Sequence, residues 1–408
     1  MRAAPRTCPS RARRLIAYST CWIPCAVTLT RVNSSISARC SIRASAGLLA
    51  TLVATLAATI VATLLLAGCA ALPSSDPQPE SIAAELERAL SRAEQRGFAG
   101  QLLVMHGQEV LVIRGYGQRV PGQPDPLDAS AVMPLASLTK PFTASAVLAL
   151  AAEGRLGLDE PIGQHLPDLA AHWAAIPIAH FLTHTAGLPA EIINRAWQGP
   201  VRFEPVAREA FVRRLDHFQP DHPPGQRFNY SNIGYNLLAV LIETLAEEAF
   251  EEFLSGSLLA TAGVVEIGLV VPDWAPERLV SGRQGLVDSG HFIDQPRLPD
   301  GAGWHLRGAG DLLATPAGIA SWWQAIQSQT WLSQPWLETW LTPQVSAGNG
   351  SQYGYGWQFR DSRLGPVVGH TGQELDFTAA LAWYRDSDLM VYINSADRRF
   401  RADRLLPE

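Results

Sequence analysis

Residues 142–152 are apolar at nearly every position, and Gly154, just after Glu153, stops the run. No polar face is set apart, so a helix over this run is buried all round. Any fold open to this chain must wrap other elements around it. The preceding residues, Ala136-Ser137-Leu138-Thr139-Lys140, then stand at the N-terminus of a core helix. There the helix macrodipole favours developing negative charge. Pro141 falls early enough to remove about one backbone hydrogen bond at most.

Lys140 is the only lysine in the chain; the other 31 of its 32 basic side chains are arginine. Arginine does not give up its proton in a protein, whereas a desolvated lysine can lose one and act as a base. An offset of three on a helix puts Ser137 Oγ and Lys140 Nζ on one face, a turn apart. Alone, Ser-x-x-Lys is a weak signal.

The rest of the chain supplies the context. Apolar spacing through Ile82, Leu86 and Leu90 predicts a helix over 81–95, and strands are expected at 101–105 and 110–114 around a turn at His106-Gly107-Gln108. The segment 155–260 reads as mostly helical, including 176–183, with Pro177 in its first turn, and 234–253. The tail changes character, with strands expected at 353–360, 377–384 and 389–394 and a hairpin turn over 385–388. Strands at both ends with helices between predict an α+β fold. Its antiparallel sheet domain would come from 81–135 and 285–408, flanked by helices, with an all-helical insertion over 136–284. No internal repeats are present.

Two further triplets accompany Ser137-Leu138-Thr139-Lys140. Tyr230-Ser231-Asn232 follows the turn-like Pro223-Pro224-Gly225, just ahead of a helix, and His370-Thr371-Gly372 is expected to open a strand beside the sheet hairpin. In this order the three resemble the elements of serine β-lactamases and penicillin-binding proteins. They are most similar to the branch holding class C β-lactamases, low-molecular-weight D,D-peptidases and their esterase relatives. The segments 181–189, 354–357 and 312–315 look similar too, and the likeness covers about residues 97–395.

The resemblance implies the β-lactamase/D,D-peptidase fold, no cofactor or metal, and an acyl-enzyme at Ser137. Lys140 and Tyr230 would share the proton work, either with a neutral Lys140 as base or with a charged Lys140 that depresses Tyr230. Asn232, His370, Thr371 and Gly372 would bind substrate, and the backbone N–H groups of Ser137 and Gln373 would form the oxyanion hole. His-Thr-Gly in place of Lys-Thr-Gly leans towards D,D-carboxypeptidase or esterase-like hydrolysis of an amide or ester. A true β-lactamase, or a non-catalytic penicillin- or peptidoglycan-binding lipoprotein, are the alternatives. A histidine at 370 would be charged only in part near neutral pH, which predicts weak or pH-dependent recognition of a substrate carboxylate. The chain departs from the family pattern at Gln373-Glu374-Leu375-Asp376, where a Gly/Pro-rich turn is expected. It also leaves only 14 residues after Asn394 for a final sheet-packing helix.

The first 68 residues carry eight arginines and no acid, so the remainder has a formal charge of −14. That surface disfavours a nucleic-acid partner. An apolar run over 46–67 follows Arg39 and Arg43 and ends in Leu66-Ala67-Gly68-Cys69, which resembles a bacterial lipobox. Residues 1–68 are expected to be a leader, Cys69 the lipidated residue, and 69–80 a Pro- and Ser-containing tether. The resemblance implies an exported lipoprotein on the outer membrane facing the periplasm, with an inner-membrane anchor as the alternative. The stretch ahead of the apolar run is long for such a leader, which points to translation starting downstream, at Val32. All five cysteines lie within the first 69 residues, so a domain cut at Cys69 would contain no disulfide.

Two patterns are expected to be structural. His180 and His184 have metal-like i, i+4 spacing, but Phe181 stands where a metalloprotease needs Glu. The five tryptophans of 322–340 are expected to pack helices beneath the sheet.

Overall fold

The computed structural model describes residues 78–189, 205–269, 272–294 and 303–407. The leader, Cys69 and most of the tether lie outside the described residues. Among the described residues, eight antiparallel strands form one sheet: β1 (Gly100–His106), β2 (Glu109–Tyr116), β3 (Val345–Gly348), β4 (Ser351–Tyr353), β5 (Gln358–Ser362), β6 (Gly365–Glu374), β7 (Phe377–Tyr384) and β8 (Leu389–Ser395). Their order is β2-β1-β8-β7-β6-β5-β4-β3. Strands from both parts of the chain thus meet where β1 pairs with β8, from Gly100 opposite Ser395 to His106 opposite Leu389.

The central strands are buried on both faces, which explains why they read as continuous apolar runs. In β1, Leu102 and Val104 join Ile82, Leu86 and Leu90 of helix α1 (Pro79–Glu94) on one side. Leu103 and Met105 point the other way, into the larger core built with α2 (Thr139–Ala152), α4 (Asn232–Ala246) and α5 (Pro316–Gln327). A short α3 (Ile178–Leu182) packs on α4. As expected, α2 is enclosed on all sides: every residue from Thr139 to Ala151 is buried. Trp322 stacks on Phe142 at 4.0 Å and neighbours Trp357 at 5.9 Å, while Trp323 meets Trp383 at 5.3 Å. With Trp331 and Trp340 also buried, most of the Trp-rich segment is core.

Several expected elements divide or shift, each for a local reason. The strand expected over 353–360 breaks because Gly356 (φ +83°) passes against the start of α2. A Cβ there would lie 2.8 Å from Lys140 O. The helix expected over 234–253 ends at Glu247, which is left-handed at φ +61°, and Glu243 accepts from the Phe250 N–H. The turn carries the buried Glu251 to Arg307. Pro177 precedes α3 as its N-cap instead of lying in its first turn. His370-Thr371-Gly372 lies in the second half of β6 and does not open it. After β8 the described tail forms one short 3₁₀ turn, Ala402–Arg404, in agreement with a tail too short for a long sheet-packing helix.

Candidate active site

Ser137 sits in a 3₁₀ turn, Ala136–Leu138, that runs into α2. Ala136 takes φ +48°, a region sparsely populated for a residue with a side chain, and such strain stands at about 1–3 kcal/mol. The turn rests on β6 at Gly372. A Cβ on Gly372 would lie 2.4 Å from Leu135 O and 2.9 Å from Ser137 N, so only glycine allows this approach.

That close contact sets two main-chain donors side by side. The Ser137 N–H lies in the first turn of a helical segment, where no intrahelical acceptor reaches it. The Gln373 N–H is turned the same way by register. The two-residue turn Leu375-Asp376 and the bond from Arg385 N–H to Pro366 O make the even-numbered residues of β6 those that bond to β7. Thr371 and Gln373 therefore direct their main-chain groups away from β7. On that side β5 pairs only as far as Gly369.

Lys140 is fully buried. Its Nζ lies 3.1 Å from Ser137 Oγ, 2.8 Å from Asn232 Oδ1 and 2.8 Å from Ala309 O. Two of these partners can only accept, whereas the serine hydroxyl can also donate. A neutral amine has two N–H donors and one lone pair, and it fits this set with the lone pair facing Ser137. Burial pushes the Lys140 amine well below its ordinary value of 10.5, and the nearby Glu374 carboxylate partly opposes that. The Tyr230 ring lies 4.8 Å from Nζ. Burial raises the Tyr230 phenol, while its hydrogen bond with Ser137 pulls the other way.

Tyr230 and Asn232 hold their places through residues that the motifs did not identify. Ser231 is extended and caps α4, putting Asn232 at the first helical position. Its N–H donates to His184 Nδ1 at 3.1 Å, and the His184 carbonyl accepts from Asn229 N–H at 2.8 Å. The His184 ring packs 4.3 Å from that of Tyr230. His184 has φ +58° and lies beyond the end of α3, so the helical i, i+4 relation to His180 is lost; His180 Nδ1 instead meets Thr185 Oγ1 at 2.7 Å. In the sequence this segment was marked only by the likeness of 181–189 to the family, with no role attached to His184.

The third motif requires a correction. His370 is 2% exposed and its ring is spent on both sides: Nδ1 is 2.7 Å from Thr371 O and Nε2 is 3.1 Å from the Tyr353 hydroxyl. Because Thr371 O can only accept, Nδ1 carries the proton, and Nε2 faces a Tyr353 hydroxyl that is also hydrogen-bonded to Tyr235. Burial pushes the imidazole down to about 3, and any charge on Lys140 would push it the same way. The expectation of a partly charged His370 near neutral pH is therefore wrong; desolvation outweighs exposure. Thr371 and Gln373 are exposed beside it.

The structure thus brings together Ser137, Lys140, Tyr230, Asn232, His370, Gly372 and the main chain of Gln373, and adds Ala309, His184 and Tyr353. Cys69 lies outside the described residues.

The Beta-lactamase family model matches residues 83–406. Penicillin-binding protein 4* of Bacillus subtilis (strain 168) is 25% identical over 320 residues, covering 74% of this chain and 69% of that protein. Among solved structures, the octameric penicillin-binding protein homologue from Pyrococcus abyssi superposes with TM-score 0.67 at 22% identity, over 79% of this chain and 75% of that one. A D-amino acid amidase from Ochrobactrum anthropi SV3 gives 0.65 at 22%, over 76% and 91%. With the family match spanning most of its length and the Ser–Lys–Tyr cluster assembled, this chain belongs to the Beta-lactamase family and is a serine hydrolase with the β-lactamase/D,D-peptidase fold.

Proposed function

We propose that the protein hydrolyses an amide or ester through an acyl-enzyme on Ser137, in the manner of a D,D-carboxypeptidase or esterase. The observation that carries this reading is the Lys140 amine. It is buried, held by two carbonyl oxygens and aimed at Ser137 Oγ. Ser137 gives its proton to Lys140 as Oγ attacks the acyl carbon. The carbonyl oxygen becomes an oxyanion between the N–H groups of Ser137 and Gln373, each such donor contributing about 3–4 kcal/mol to transition-state stabilisation. Tyr230, kept protonated by its environment, passes a proton to the leaving group, with Lys140 restoring it. Water then attacks the ester on Ser137 by the same proton path in reverse. The relatives, a penicillin-binding protein and a D-amino acid amidase, support acyl donors of this class.

The test is intact mass over time for the domain from Ala70 onward, with a p-nitrophenyl ester and with a penicillin, and with Ser137→Ala as control. Ester turnover, or a lasting penicillin adduct, that depends on Ser137 supports the reading. Rapid consumption of penicillin without an adduct assigns a β-lactamase instead. The absence of any Ser137-dependent change would leave a binding protein.

We further propose export and lipidation at Cys69, supported by the apolar run that ends in Leu66-Ala67-Gly68-Cys69. Radiolabelled palmitate should enter the full chain and be absent from Cys69→Ala; equal labelling of both would overturn it.

A further inference from the structure

Glu374 is a buried carboxylic residue to which the three motifs assign no role. It stands where the chain departs from the family pattern, two residues beyond Gly372 on β6 and next to the turn into β7. Side chains alternate along a strand, so Glu374 shares a face with Gly372 and His370. Across the ladder these three lie opposite Phe377, Ala379 and Leu381, which are buried in the apolar clusters that hold Met133 and Phe142 of α2. This is the face on which the Ser137 turn rests. Glu374 is 7% exposed. A carboxylate so enclosed is costly unless charges or hydrogen bonds meet it.

The groups around the Lys140 amine differ in what they offer a positive charge. Ser137 Oγ, Asn232 Oδ1 and Ala309 O are neutral acceptors. The rings of Tyr230 and Tyr235, 4.8 and 5.7 Å from Nζ, belong to phenols that burial keeps protonated. His184 and His370 are held neutral by burial, and a charge on either would repel the amine. Asp311 is buried two residues beyond Ala309, yet the charge felt at Lys140 comes from Glu374, and it favours the ammonium. In acylation the Ser137 O–H bond breaks, its proton goes to the Lys140 lone pair, and Oγ bonds to the acyl carbon. A neutral amine thereby becomes a fully buried cation. A carboxylate already fixed on the adjoining strand stabilises that cation without any reorganisation at the moment of reaction.

We infer that Glu374 is a positioning residue that acts through Lys140, as the buried counter-charge of the ammonium that forms when Ser137 gives up its proton. It touches neither substrate nor nucleophile. This rests on the hydrolase reading above and deepens it by naming what balances the charge on the base. Glu374 also sets how far up the pH scale the amine must be carried before it is free to accept a proton.

Lys140 is the only lysine in the chain, so protein labelled with 13C at the lysine ε-carbon gives a single side-chain NMR signal. Its titration reads Lys140 directly, with no substrate present. The wild-type midpoint should lie below 10.5. Glu374→Gln should lower it by about one pH unit, the lower end of what a neighbouring opposite charge does. Glu374→Asp keeps the charge and should stay close to wild type. The acid limb of kcat/KM for a p-nitrophenyl ester should move with the midpoint. Its plateau should fall several-fold in Glu374→Gln, because the proton of Ser137 then goes to a weaker base. A purely structural role would lower the plateau and leave the midpoint in place. Glu374→Leu suits an apolar face and carries the same expectation where Gln disturbs folding. A midpoint that stays or rises when the charge is removed, or an equal fall in Glu374→Asp, would overturn the inference. Absence of Ser137-dependent ester turnover in the wild type would remove the hydrolase reading, and with it the acylation role of Glu374. That result is separate from a midpoint that fails to move.

Discussion

Gly372→Ala isolates the contact between β6 and the Ser137 turn without touching a catalytic side chain. The added Cβ would lie 2.4 Å from Leu135 O and 2.9 Å from Ser137 N. A tolerable carbon–oxygen contact is about 3.3 Å, so strand and turn must part by roughly an ångström. Both neighbours are backbone, and neither can rotate aside. The two N–H groups would then no longer converge on one oxygen, and losing one such donor lowers kcat by about 10²–10³. Overpacking of this kind destabilises by about 1–3 kcal/mol, which a domain of this size tolerates. The assay is the p-nitrophenol burst under single-turnover conditions, which reads acylation, with circular dichroism and thermal unfolding run alongside. Acylation within about threefold of wild type by a folded variant would refute the reasoning, since the donors would then not need this approach.

Two other outcomes are expected. Because burial holds the Lys140 amine below 10.5, kcat/KM should rise with pH through the folded-state value as the amine loses its proton. Over the window from there up to 10.5 the unfolded chain binds the extra proton, so stability should also rise with pH, and that rise should vanish in Lys140→Met. Acylation that climbs only above pH 10.5, or an unchanged limb in Lys140→Met, would contradict this. Away from the site, Arg307 pairs with Glu251, which is 3% exposed, and with Glu243 at 3.5 Å. Arg307→Met should destabilise by about 3–5 kcal/mol in urea unfolding by leaving a buried carboxylate unpaired, and adding Glu251→Gln should recover much of it. A double variant no more stable than the single one would rule that account out.

Much of this architecture follows from local pattern. An all-apolar run of this length reads as a buried helix, so α2 and the Ser137 turn at its head were legible, as were the hairpins β1–β2 and β7–β8 from their branched residues and turns. The lone lysine three residues beyond a serine marked the chemistry, because only that cation can be neutralised by burial. What the pattern does not contain is contact between distant parts of the chain. Gly356 against Lys140 O breaks a strand that reads as continuous, and Glu251 reaching Arg307 requires a helix to end early. The same holds at His370. A histidine in isolation titrates near neutrality, but here burial depresses the ring and its two nitrogens meet Thr371 O and a tyrosine 17 residues earlier. Residue type and spacing along the chain were enough to point to the nucleophile, and left its base open between Lys140 and Tyr230. The protonation states and the paired N–H donors depend on dielectric and on distances that exist only once the strands and helices have packed.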